Sequence, residues 1–79
     1  MEEDVTVEEF ADYVRFMRQS VQMTQRQLGE AIGFERRTIM NWENGKSLPF
    51  DIYAVIESIR NEVKLRIKYK AHEKSQDYS

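Results

Sequence analysis

An all-α fold, a compact bundle of four to five helices, is what this sequence predicts. Three observations carry that reading. Apolar residues recur at spacings of three and four along most of the chain, as on one face of a helix. Two of these segments open on a threonine followed three residues later by Glu or Gln, a pattern that closes a helix N-terminus. Three glycines and one proline leave few breaks.

The first helix starts after Thr6, whose hydroxyl can cap the free amides while Glu9 reaches back. Phe10, Val14, Met17 and Val21 then line one face for the core, and Asp12, Arg15 and Gln19 turn outward. A second capping box at Thr24 and Gln27 opens a short helix with Leu28, Ala31 and Ile32 on one side. Gly33 ends it, because glycine takes a positive φ without a Cβ penalty, as a sharp helix-to-helix turn requires. Phe34 and Glu35, the expected N-cap, lead into a third helix with Ile39 and Trp42 as its apolar contacts. Asn44 and Gly45 stop that helix, and a loop over 46–49 ends on Pro49, preset for the start of the next helix. Ile52, Val55, Ile56, Ile59, Val63 and Ile67 continue at helical spacing without glycine or proline, predicting a long fourth helix over about 50–70. Residues 71–79 are expected to form a short flexible tail, frayed from Ser75 to Ser79.

With 79 residues and 41% apolar content, the chain has room for one domain. A chain this short buries only about 60% of its unfolded surface, so a second core does not fit. Its absence of cysteine excludes a disulfide framework, a thiolate metal site and a cysteine nucleophile, and suits a reducing cytosol. No apolar run is long enough to span a membrane and the acidic N-terminus lacks the basic region of a signal peptide, so a cytoplasmic protein without membrane contact is expected. His72, the single histidine, reads as surface filler, no ligand cluster suggests a metal, and nothing suggests a cofactor or an active site.

The net charge of −2 argues at first against a nucleic-acid partner. Its distribution reverses the inference. Residues 1–12 hold six acids and no bases, whereas residues 13–46 hold six bases against three acids, a local charge of +3. A second block, Arg60, Lys64, Arg66, Lys68 and Lys70 opposed only by Glu62, adds +4 near the C-terminus.

Residues 24–44 thus read as two short helices joined by a glycine turn, with long polar side chains opening the second. Proteins present a helix to the major groove of DNA in this way. Residues 15–50 resemble the helix-turn-helix domain of the phage repressor and Cro family, also called Xre-like. The resemblance rests on Arg18, Thr24-Gln25, Leu28, Gly33, Ile39, the run Trp42-Glu43-Asn44-Gly45-Lys46, and Pro49, all in register. It implies a lambda-repressor-like bundle and assigns Arg36, Arg37 and Asn41 to base reading. Arginine can bond O6 and N7 of guanine together, and asparagine N6 and N7 of adenine. Arg36 and Arg37 diverge by roughly 100° around a helix, so one of them can grip phosphate instead. Elsewhere in a protein the same three residues would be ordinary solvated surface.

The resemblance further assigns Gln25 to a DNA phosphate, with Thr38, Asn44 and Lys46 as other backbone contacts; Asn44 also reads as a simple helix C-cap. It pairs Arg18 with Glu43 as a structural brace. The family mostly places alanine where this chain has Gly29, and often glycine where it has Gln22, so the bend after the first helix is either strained or shaped differently. Glu35 is acidic beside the reading face, and repels phosphate unless it turns away as a cap or accepts from a cytosine amino group. The family usually adds a separate fifth helix after a glycine-containing break, whereas here the fourth runs on.

Three readings of the long helix stay open. Ile59, Val63 and Ile67 form a dimer seam that sets two reading helices about 34 Å apart, or they fold onto helix one as core, or the basic side touches DNA backbone. The acidic N-terminus either discourages non-specific DNA contact, offers a surface to a basic protein, or only caps and solubilises. The expected function is a dimeric, Cro-like repressor of a phage or mobile element, bound to double-stranded operator DNA. The alternative is a protein-interaction module, antitoxin-like or regulator-binding, that uses the acidic N-terminus and the long helix.

Overall fold

In the computed structural model, which describes the backbone of residues 4–77 and the side chains of residues 4–69, both capping boxes close. Thr6 Oγ1 accepts the Glu9 amide at 3.0 Å and Glu9 Oε1 accepts the Thr6 amide at 3.1 Å, opening α1 (Val7–Ser20). Thr24 and Gln27 exchange the equivalent bonds at 3.0 and 2.9 Å to open α2 (Gln25–Ile32). Between them Gln22 holds φ at 60°, in the left-handed region. A Cβ there costs about 1–2 kcal/mol, which glycine would remove at about 0.4–1 kcal/mol of extra unfolded-state entropy. Gln22→Gly is therefore expected to stabilise the fold by about 0.5–1 kcal/mol, read as a melting temperature a few degrees higher.

At the far end of α2, Gly33 takes φ of 89°. The amides of Gly33 and Phe34 then both reach the Gly29 carbonyl at 2.8 Å. This turn also decides residue 29. A Cβ built on Gly29 would stand 2.4 Å from the Phe34 carbonyl oxygen, a backbone atom with no side-chain freedom to yield. Helix propensity alone favours alanine by about 1 kcal/mol, but overpacking against backbone costs typically about 1–3 kcal/mol. Gly29→Ala is accordingly expected to destabilise the protein in chemical denaturation, against its propensity.

α3 (Arg36–Glu43) begins at Glu35, which has N-cap backbone geometry but makes no side-chain cap bond. The expected cap is thus one of position only. α4 (Ile52–Asp77) starts after Asp51, whose Oδ1 accepts the Ala54 amide at 3.1 Å. Pro49 therefore precedes the helix without beginning it, and the helix runs to Asp77, past the end expected near residue 70. Residues 1–3, 78 and 79, with Glu2 and Glu3 among them, and the side chains of Lys70 and His72 lie outside the described residues.

The core gathers around Trp42, which is 2% exposed and takes Phe10 edge-on at 5.4 Å between ring centroids and Phe34 at 4.9 Å. Val14, Val21, Met23, Leu28, Ile39, Val55, Ile59 and Val63 pack with them. α4 packs across both α1 and α2, which places Ile59 at 0% and Val63 at 4% exposure inside the chain's own core. The seam expected of Ile59, Val63 and Ile67 is divided: two members serve the core, and Ile67 is left 56% exposed. Periodicity identifies a helix face but not what covers it.

Candidate nucleic-acid interface

α3 has two chemically opposite sides. Ile39, Trp42 and Glu43 face inward and are buried; Arg36 and Arg37 are exposed, and Thr38, Met40 and Asn41 are half-buried. Successive residues advance by roughly 100°, so Arg37, Asn41 and Asn44, at spacings of four and three, lie along one stripe, with Arg36 and Met40 beside it. The Asn44 amide closes the helix on the Met40 carbonyl at 3.0 Å, and the Lys46 amide returns to the Asn41 carbonyl at 2.9 Å. Among the described residues no carboxylate pairs with Arg36, Arg37 or Lys46. Their charges therefore remain directed to solvent.

Behind this face, one buried carboxylate ties three helices together. Glu43 accepts from Arg18 Nε at 2.6 Å, from Arg18 Nη2 at 2.9 Å and from Gln25 Nε2 at 3.2 Å. Arg18 Nη1 also donates to the Met23 carbonyl at 2.8 Å, fixing the α1–α2 bend. The hydrogen bond to Glu43 raises the Arg18 pKa above its ordinary value, against the opposing effect of burial, and the Glu43 charge adds to the rise. Gln25 occupies the start of α2 as expected, but its amide is directed at Glu43. Arg15, expected to point only outward, is half-buried: its Nη1 donates to the Glu43 carbonyl at 2.6 Å, and it pairs with Asp12. The Asp12–Arg15 spacing was the available clue, and the Asp51 cap could have been found from an aspartate placed just ahead of a periodic run. Ile59, Val63 and Ile67 lie on α4, apart from this assembly.

A short helix, a left-handed glycine turn and a second short helix braced from behind, with unpaired cations in front, define a helix-turn-helix DNA-binding domain. The helix-turn-helix family model matches residues 14–49, and this segment belongs to the Xre-like helix-turn-helix family. A helix-turn-helix segment of this type points to a DNA-binding regulator. Neither a curated protein nor a solved structure gives a significant match. No helix among the described residues is long and apolar enough to cross a membrane, and no group of three or more His, Cys, Asp or Glu among them could hold a metal ion.

Proposed function

We propose that this chain is a sequence-specific transcriptional repressor of the Cro-like kind, belonging to a phage or mobile element, that occupies an operator as a homodimer on the nucleoid in the cytoplasm. No catalytic role is assigned to it. The observation that carries the reading is the outward face of α3, where exposed Arg36 and Arg37 stand beside Asn41 with no internal partner for either cation among the described residues. These three read base edges. Gln25, Thr38, Asn44 and Lys46 hold the phosphates on either side and set register. Past the core, α4 exposes Leu65, Ile67 and Tyr69, at 61%, 56% and 64%, apolar surface suited to a second copy.

Titration against selected and random duplexes at several salt concentrations tests this. A selected operator bound at about 10⁻⁸ M or tighter, with steep salt dependence, is expected. Equal affinity for all duplexes would sink the regulator and leave the protein-interaction module in its place. In the same assay, Arg36→Ala and Arg37→Ala should together relax at least one base pair per half-site, at about 1–3 kcal/mol for each base edge that is no longer bonded. Gln25→Ala should weaken every sequence alike. A monomer in sedimentation, both free and on operator DNA, would remove the dimer.

A further inference from the structure

We infer that Glu35 is a specificity-determining residue that demands a cytosine amino group at the base pair beside the one read by the start of α3. This deepens the regulator reading above and rests on it.

Glu35 sits where a helix usually spends a side chain on its own free amides. Thr6 and Thr24 do so, each closing a reciprocal pair of bonds. Glu35 does not, although its φ of −76° and ψ of 154° are those of an N-cap. A glutamate is a methylene longer than the aspartate favoured at such positions, so its carboxylate is carried past the first-turn amides. Nor does it form an ion pair among the described residues. Glu35 shares a surface cleft with Arg26, Glu30, Phe34 and Arg36, yet Arg26 pairs with Glu30 at 3.4 Å, and no described cation pairs with Glu35. An exposed carboxylate without a partner therefore stands at the N-terminal end of the helix whose first residues meet base edges.

In the major groove such a group is selective by exclusion. Guanine O6 and N7 and thymine O4 are acceptors and repel it, and adenine sets its acceptor N7 beside the N6 donor, whereas cytosine N4 presents a donor with no neighbouring acceptor on the same base. It also repels phosphate, so it lowers affinity for DNA in general while favouring one base pair. A loss in random binding coupled to a gain in discrimination is the mark of the role.

The test is selection of bound duplexes from a random pool by the full chain and by Glu35→Ala and Glu35→Gln, with thermal melts of each protein alongside. The wild-type site is expected to carry cytosine at one position per half-site, flanking the pairs relaxed by Arg36→Ala or Arg37→Ala. Glu35→Ala should lose about tenfold or more of discrimination there and bind random DNA several-fold more tightly. Glu35→Gln should move the preference from cytosine toward adenine, whose N6 and N7 suit an amide. No purely structural part for Glu35 would change base identity in this way. If the wild type selects a site and both variants select the same site with the same stringency, Glu35 reads nothing and the inference is overturned. If the wild type selects no site at all, the regulator reading fails first, and the two failures are distinguishable.

Discussion

Glu43→Ala is expected to lower folding stability by about 3–5 kcal/mol, the usual cost of removing one partner of a buried ion pair. The carboxylate is 4% exposed and receives three hydrogen bonds, two from Arg18 and one from Gln25. Its loss leaves the guanidinium of Arg18, a side chain only 15% exposed, without a counter-charge. A domain of this size has about 4–12 kcal/mol in all, so the variant should be substantially unfolded near 37 °C. Urea denaturation followed by Trp42 fluorescence gives the measurement. The origin of the loss can be separated from its size. Exchanging both partners together, Arg18→Met with Glu43→Leu, removes the unpaired charge and should be much less damaging than Glu43→Ala alone. A double variant as unstable as the single one would mean that the carboxylate's hydrogen bonds, not the stranded charge, carry the energy.

Trp42→Ala is expected to cost about 3–5 kcal/mol, as truncating a buried tryptophan leaves a cavity that its neighbours fill only in part. Edge-to-face packing against Phe10 and Phe34 goes with it, worth about 0.5–1.5 kcal/mol for each pair beyond buried area. Since Trp42 is the only tryptophan, circular dichroism must follow this unfolding. The functional consequence should differ from that of the outward residues. Trp42 seats α3 from behind, so its loss should weaken operator and random DNA alike, whereas Arg37→Ala or Asn41→Ala should spare stability and erode discrimination. Trp42→Ala that folds normally but loses selectivity at one base pair would contradict the division of α3 into a seating side and a reading side.

Local chemistry is legible in the order of residues. Thr6 and Thr24 with their partners three residues on, and Gly33 at the turn, each act within a few residues, so spacing alone suffices. The same holds for the outward placement of Arg36 and Arg37, which follows from the inward positions of Ile39 and Trp42 on a short helix. Long-range partners are not legible in this way. Nothing in the spacing shows that Arg15 reaches the Glu43 carbonyl, or that Gln25 shares its amide with the Glu43 side chain.

What the sequence by itself determined is therefore the order of the helices, the two threonine caps, the glycine turn and the family pattern over the helix-turn-helix, because these depend on dihedral preference and hydrogen bonds between near neighbours. The tertiary structure alone decided how the apolar stripe of α4 is used, taking Ile59 and Val63 into the core and leaving Ile67 outside. It also decided that a Cβ at Gly29 would meet the Phe34 carbonyl and that Glu35 makes no side-chain cap bond. Each of these depends on which surface a helix meets and at what distance, and that is set by packing between segments remote in the chain.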